Sequence, residues 1–185
     1  MKKQSVFLYV LRLSLTLLVI TSLMAAALAG VNMMTAPIIA KSNEAKTQNA
    51  VQAVLKGGGD LMDPSSYTDT SGIVSAVYAG ENGYAVQVTP GGFGGEINMM
   101  VGVDKEGKVL GVSIISHAET PSLGAVAGAE NEAGRAFRDS FISLFGEVKV
   151  SKEGGEADTI TSATITSKAV ATGVNAALAL VAGLG

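Results

Sequence analysis

Hydroxyl side chains crowd the segment Asp158–Ser167, directly before a stretch that is predicted to form the last helix of the chain. A helix N-terminus presents unpaired backbone N–H groups and a partial positive charge, and therefore binds phosphate readily. A hydroxyl group at that place would lie beside a bound phosphate and be available for esterification. The alternative is plain N-capping, since serine and threonine favour that position. Capping needs one such side chain, whereas this segment supplies several.

Four antiparallel strands are predicted upstream and would position this segment. Apolar residues alternate or run continuously between turn-forming clusters, which is typical of hairpin-connected strands. The predicted strands cover 73–78, 84–88, 97–103 and 109–115, with a glycine-rich loop at 90–95.

Two amphipathic helices are predicted after the strands, over 130–145 and 165–182. Strands followed by helices indicate an α+β domain with an antiparallel sheet and packed helices. We expect the following side chains on buried helix faces: Ala133, Phe137, Phe141, Leu144 and Phe145 in the first helix, and Val170, Val174, Ala177, Leu178 and Val181 in the second. In the second helix Lys168, Thr172 and Asn175 are expected to point outward.

The N-terminal part of the chain predicts a membrane anchor. A basic segment, 1–12, precedes an uncharged run whose first part, 13–31, is long enough for a spanning helix, which needs about 20 apolar residues. Basic flanks stay in the cytoplasm, so the remainder of the chain is expected outside the cytoplasmic face of the inner membrane. A helical connector, 32–59, would then lead to the domain at 60–185.

A cleaved signal peptide is the alternative interpretation of this N-terminus. Residues 13–24 would be its apolar core, and the small residues at 25–29 offer cleavage sites. Both interpretations export the domain.

Composition excludes several classes of function. Charged residues make up 16% of the chain and the net charge is −3, which argues against nucleic-acid binding. The chain has no cysteine and one histidine, so disulfides, iron–sulfur clusters and His-rich metal sites are excluded. We predict no metal site, and no catalytic acid–base pair is evident.

The segment Asp158–Thr164 resembles the flavinylation motif of the FMN-binding domain family, Asp-x-x-Ser/Thr-Gly/Ser-Ala-Thr. In that family a flavin transferase attaches FMN, taken from FAD, to the last threonine through a phosphoester bond. The resemblance therefore implies that Thr164 carries covalent FMN. The rest of the pattern is matched by Asp158, Thr161, Ser162 and Ala163.

A second segment, Ser116–Gly124, is similar to the family stretch His-x-Glu-Thr-Pro-Gly-Leu-Gly, and Gly91–Ile97 resembles its glycine-rich strand entry. Ser122 replaces the usual glycine, and serine is costly at positive φ. The resemblance implies that further cofactor-binding residues are His117, Glu119, Thr120, Leu123, Gly124, Gly94 and Gly95.

Each of these residues also has an ordinary structural interpretation. His117 could be a hydrogen-bonded histidine at a strand end, and Glu119 a solvated carboxylate. Gly94 and Gly95 could simply form turns.

Within the family, the chain resembles the G subunit of the Rnf ferredoxin:NAD⁺ oxidoreductase, an ion-translocating membrane complex. The C subunit of the sodium-translocating NADH:quinone reductase is a close cousin. The resemblance implies an electron-carrying subunit without activity in isolation. Its partners would be other membrane subunits, the lipid bilayer and, during maturation, the flavin transferase. The alternatives are an exported flavin-storage or sensor module, the corresponding subunit of the sodium-translocating NADH:quinone reductase, and a structural anchor whose hydroxyl groups only cap a helix.

Overall fold

The chain divides into two units, residues 1–45 and 46–185, in a computed structural model that describes residues 2–184. Met1 of the predicted N-terminal segment and Gly185 of the predicted domain lie outside the described residues. The α+β architecture predicted from the sequence is confirmed: a long apolar helix is followed by an antiparallel sheet and further helices.

Helix α1 runs from Lys2 to Val54 and contains Pro37 in its interior. The sequence predicted separate spanning and connecting helices, whereas the structure has one helix. Its large apolar side chains from Phe7 to Ile39 are exposed, as a lipid-facing helix requires. The hydroxyls of Thr16, Thr21 and Thr35 each donate to the carbonyl oxygen four residues earlier, at 2.8–2.9 Å. Polar groups that are satisfied within their own helix suit an apolar solvent.

Five strands form the sheet in the described part of the chain, and neighbours in sequence pair antiparallel in the order β1 to β5. The strands are β1 (Asp60–Leu61), β2 (Val74–Gly80), β3 (Gly83–Val88), β4 (Asn98–Asp104) and β5 (Val109–Ser116). The four predicted strands are confirmed. The two-residue β1 was not predicted, because a pair of residues at a sheet edge carries no periodicity.

The two faces of the sheet are covered by different helices. Val51 near the end of α1 and Leu55, directly after the helix, pack against Tyr78 and Met100. The close approach requires a glycine at position 102 of β4, because a Cβ there would lie 2.8 Å from the carbonyl oxygen of Val54. The opposite face of the sheet contributes to the main hydrophobic core with helix α3 (Thr164–Ala182).

Helix α2 (Glu132–Asp139) is shorter than the predicted 130–145. Ser143 adopts a φ of 69°, and its N–H donates to the carbonyl of Val109 at 2.8 Å, so the chain leaves the helix and pairs with the start of β5. Phe137 and Phe141 are in the core with ring centroids 5.3 Å apart. The prediction that Phe145 is buried was wrong: it is 70% exposed, because its segment is extended rather than helical.

The outward orientation predicted for Asn175 on α3 was also wrong. Its side-chain amide donates to the carbonyl of Val148 and accepts from the Val148 N–H, both at 2.8 Å. This pair of bonds ties the strand-like segment before the hydroxyl-rich loop to the middle of α3. The five residues that were predicted for the buried face of α3 are all buried.

Candidate functional site

A cleft of about 310 Å³ opens where three segments meet: the glycine-rich loop after β3, the loop after β5 and the start of α3. Seven of the residues that the sequence assigned to the site line it. They are Glu119, Thr120, Leu123, Gly124, Ser162, Ala163 and Thr164. Three further lining residues, Phe93, Ile165 and Thr166, were not predicted.

The first turn of α3 begins at this cleft with Thr164 as the first helical residue. Ala163 occupies the N-cap position, and no side chain caps the helix. The first intrahelical bond joins the Ser167 N–H to the Ala163 carbonyl at 3.0 Å. Within residues 2–184, the N–H groups of Thr164, Ile165 and Thr166 donate no hydrogen bond. The N-capping interpretation of the hydroxyl cluster is therefore wrong, and the helix end keeps the free donors that bind anions.

Two of the neighbouring hydroxyl groups support the loop instead of capping the helix. The Thr159 hydroxyl lies 2.9 Å from that of Ser151. The Ser167 hydroxyl accepts from the Ile160 N–H and donates to the Ala163 carbonyl, both at 3.0 Å. Together these bonds hold the residues that precede Thr164 in place.

The Thr166 hydroxyl has a separate role, because it donates to Glu119 Oε2 at 2.5 Å. The other carboxylate oxygen, Oε1, accepts the N–H of Gly94 at 2.9 Å. Glu119 is only 6% exposed, so the alternative interpretation of this residue as a solvated carboxylate is wrong. Its carboxylate joins all three segments that form the cleft. Gly124 leaves it room, since a Cβ at that position would collide with Glu119 Oε2.

The ionised form of Glu119 is favoured at this place. Burial raises the pKa of its carboxyl group, since a charge is less stable away from water. The hydrogen bonds from Thr166, Gly94 and the Phe93 N–H lower the pKa, and the nearby His117 lowers it further. The balance leaves the pKa of Glu119 below its ordinary value, so the cleft contains a buried negative charge with its donors already in place.

Two serines give the cleft its backbone shape. Ser122 and Ser162 have φ values of 62° and 64°, in the left-handed region that favours glycine. The expected strain at Ser122 is therefore present. The turn forms nevertheless, and the Leu123 N–H donates to the Thr120 carbonyl at 3.2 Å. The left-handed backbone conformation of Ser162 likewise turns the chain, so that Ala163 and Thr164 lie at the start of α3.

His117 does not line the cleft. Its Nδ1 accepts the N–H of Glu119 at 3.3 Å, and its ring lies against Gly128, where a Cβ would approach Nε2 to 2.9 Å. This arrangement agrees with the alternative of a hydrogen-bonded histidine after a strand. It gives His117 a supporting contact to the loop that contains Glu119.

Asp158 and Thr161 lie on the other side of the hydroxyl-rich loop. They border a second cavity of about 380 Å³, together with Phe137 and other residues of α2 and its approach. The Asp158 N–H donates to the Ser140 hydroxyl at 3.0 Å. Gly95 also lies outside the cleft lining, and its φ of 148° serves the turn before β4.

Lys152 is the one charged side chain with a described hydrogen bond to Thr164. Its Nζ donates to the Thr164 hydroxyl at 3.1 Å. No sequence signal pointed to this residue, because it is 12 positions away in a 3₁₀ turn (Ser151–Glu153).

The residues around Thr164 fit an esterified phosphate. Free N–H groups, an adjacent ammonium group and the absence of acidic side chains from the first turn of α3 all favour negative charge there. The apolar side chains of Phe93, Leu123 and Ile165 are 69%, 42% and 54% exposed at the same cleft, which suits an aromatic group.

Comparisons with known proteins point to the same segments. The FMN-binding domain family matches residues 92–179. The chain is 35% identical to the G subunit of the Na(+)-translocating ferredoxin:NAD(+) oxidoreductase complex of Acetobacterium woodii, over 90% of this chain and 88% of that protein. It is 34% identical to the G subunit of the proton-translocating ferredoxin:NAD(+) oxidoreductase complex of Clostridium ljungdahlii, over 82% of this chain and 80% of that protein.

Among solved structures, a partial likeness is found to a subunit of another redox complex. The C subunit of the Na(+)-translocating NADH-quinone reductase from Parabacteroides distasonis is 26% identical, with a TM-score of 0.42 over 57% of this chain and 58% of that one.

Proposed function

Because the chain belongs to the family of G subunits of ion-translocating ferredoxin:NAD(+) oxidoreductase complexes, with an FMN-binding domain, we propose that it relays electrons in such a complex through FMN esterified to Thr164. The protein is a membrane-anchored redox subunit of an oxidoreductase complex. The covalent bond, its position and the electron relay are the proposal.

The position of Thr164 carries this proposal. Its hydroxyl is on the first residue of α3, at a cleft, beside backbone N–H groups that no side chain caps. A phosphodiester at this oxygen keeps one negative charge, which the helix end stabilises. The β-branched side chain restricts χ1 and so limits the directions in which the ester can leave the helix.

The FMN ring system, when bound, supplies the redox chemistry. The chain supplies the attachment and the surface for the ring. Phe93, Leu123 and Ile165 offer apolar contact area at the cleft. The hydrogen bonds of Glu119 hold the segments that contain these side chains together. A covalent bond prevents loss of the cofactor, which matters if the domain lies outside the cytoplasm.

The membrane arrangement is proposed from α1. Among the described residues, two helices are long and apolar enough to cross a membrane, but α3 is mostly buried in the domain. We therefore assign residues 13–31 of α1 as the spanning part. The basic residues of segment 1–12 would stay in the cytoplasm, which places the FMN domain on the extracytoplasmic side. Other subunits of the complex would give and take the electrons.

The test asks whether FMN becomes covalently bound to the full chain when the chain is produced together with a flavin transferase. Intact mass and fluorescence of the denatured protein are measured for the wild type, Thr164→Val and Thr172→Val. Thr172 is the matched control, because it is an exposed threonine on the same helix whose hydroxyl donates only to the Lys168 carbonyl. We expect one FMN on the wild type and on the control, and none on Thr164→Val.

Two results would contradict the proposal. A wild-type protein without covalently bound FMN would contradict the proposed covalent attachment. A labelled Thr164→Val variant would move the ester to another hydroxyl, and Thr161 and Thr166 would be tested next. Of these two, Thr161 is exposed, whereas Thr166 is buried and donates to Glu119.

A further inference from the structure

We propose that Lys152 is the cation that binds the phosphodiester at Thr164 and assists its formation. This inference rests on the proposed attachment of FMN to Thr164. The observation behind it is the hydrogen bond of 3.1 Å from Lys152 Nζ to the hydroxyl oxygen that would be esterified.

The backbone of Lys152 is held in position by the hydroxyl-rich loop itself. Its N–H donates to the Thr159 hydroxyl at 3.3 Å, and the same hydroxyl lies 2.9 Å from that of Ser151. Gly154 ends the 3₁₀ turn with a φ of 80°. Thr159 thus connects the segment that contains Lys152 to the segment that contains Thr164, so the cation and the acceptor are positioned together.

The charges around Lys152 leave its ammonium group available. In the described chain Glu153 pairs with Lys168 at 2.6 Å and Glu147 pairs with Lys149 at 3.0 Å, whereas Lys152 contacts no carboxylate. Its described side-chain partner is the neutral hydroxyl of Thr164. An exposed ammonium group that is directed at a hydroxyl rather than a carboxylate can pair with an anion formed at that oxygen.

The attachment reaction creates such an anion. Thr164 Oγ1 forms a bond to the FMN phosphorus of FAD, the pyrophosphate bond breaks, and AMP and the hydroxyl proton are released. Lys152 is a donor at Oγ1, so it does not accept that proton. It stabilises the negative charge that develops on the oxygen and remains on the phosphodiester.

The first experiment measures the rate at which the flavin transferase loads the full chain with FMN from FAD. The variants are Lys152→Gln, Lys152→Arg and Lys152→Glu, with Lys149→Gln as the control, because Lys149 is a nearby lysine paired with Glu147. We expect Lys152→Gln to slow loading about fivefold, the upper range for an exposed charge pair. Lys152→Glu should be slower still, and Lys152→Arg and the control should stay close to the wild type.

The second experiment does not depend on the loading rate, because it records the ³¹P chemical shift of protein that is already loaded with FMN. Lys152→Gln should move the phosphodiester resonance, and Lys149→Gln should not.

Raising the salt concentration should bring the wild-type loading rate towards that of Lys152→Gln, since exposed charges are screened. Unchanged thermal unfolding of the variants shows that the fold is retained.

The outcomes separate this inference from the proposed function. An unlabelled wild type contradicts the attachment itself. A labelled wild type together with a Lys152→Gln variant that loads at the same rate and has the same ³¹P shift overturns only the role of Lys152. Equal slowing by Lys149→Gln, or failure of Lys152→Arg to restore the rate, overturns it as well, because a specific cation would then not be required.

Discussion

Helices α2 and α3 begin in opposite ways. At α2 the Asn131 side chain accepts the Gly134 N–H at 2.9 Å, and Glu132 lies in the first turn. At α3 Ala163 takes the cap position without a side-chain bond, and the first turn contains no acidic residue. A helix that satisfies its own N-terminus leaves few donors for a ligand. The uncapped end of α3 gives up that local stabilisation and keeps its donors for an anion.

The uncapped helix end is held by a distant residue instead. Glu119 binds Thr166 in the first turn of α3, although the two residues are 47 positions apart in sequence. At α2 the capping residue is only three positions from its partner. Stability at the start of α3 therefore depends on tertiary contacts, and stability at the start of α2 on local ones.

The largest expected effect is on stability, from removing the residue that holds α3. Glu119→Ala should lower the free energy of unfolding by about 3 kcal/mol, because the donors of Thr166, Gly94 and Phe93 lose a buried charged acceptor. Glu119→Gln keeps an amide oxygen as acceptor and should lose less. Denaturant titration of the full chain measures both. A loss equal to that of a surface substitution would show that α3 does not depend on Glu119.

A smaller effect is expected from making α3 resemble α2. Ala163→Asp places an acidic cap at the start of α3, where it occupies the free donors and repels a phosphate. FMN loading at Thr164 should fall about tenfold, the equivalent of 1.4 kcal/mol. The matched control is Asn131→Asp, which puts the same acidic cap on α2. A special role for the uncapped end would be contradicted if FMN loading fell equally in Ala163→Asp and Asn131→Asp. It would also be contradicted if loading fell in neither variant.

Removing the cap from α2 gives the converse test. Asn131→Ala should cost about 1 kcal/mol of stability, the usual value for loss of an N-cap side chain. FMN loading should be unchanged, because Asn131 lies outside the cleft lining. Thermal unfolding and fluorescence of the denatured protein measure the two quantities. Reduced loading at full stability would show that α2 also takes part in the site.

The smallest effect is the pH dependence that Glu119 contributes. Its pKa is lower in the folded protein than the ordinary value of 4.5, so its stabilisation is fully present above that value. The stabilisation is lost as the pH falls through the folded pKa, because the protonated carboxyl group no longer accepts all three hydrogen bonds from Thr166, Gly94 and Phe93. In acid unfolding, Glu119→Gln should lose stability less steeply below pH 4.5 than the wild type does. Identical slopes would contradict this.

Several features were predictable because their signals are local. The four longer strands follow from runs of apolar residues between turns, and the buried face of α3 follows from helical spacing. Helix α2 was predicted too long, since Phe141 and Phe145 continue the spacing although Ser143 reverses the chain. The spacing of apolar residues does not reveal a single residue at positive φ, such as Ser143.

Part of the site could likewise be predicted from local sequence, and part of it depends on tertiary contacts. The motif around Thr164 and the loop with Glu119 are recognisable in the sequence, and seven of their residues line the cleft. Lys152 and Phe93 were not predicted, because the contact of Lys152 with Thr164 and the place of Phe93 at the cleft depend on how distant loops pack. Asp158 and Thr161 belong to the same motif but border another cavity.

The sequence by itself determined the apolar anchor, the order of strands and helices and the place of the hydroxyl-rich segment before α3. These depend on periodicity and composition over neighbouring residues. Only the tertiary structure decided which hydroxyl groups of this segment line the cleft and which ones bind other parts of the fold. That choice depends on partners such as Ser151, Glu119 and Lys152, which are brought to the segment by the fold and not by the chain next to it.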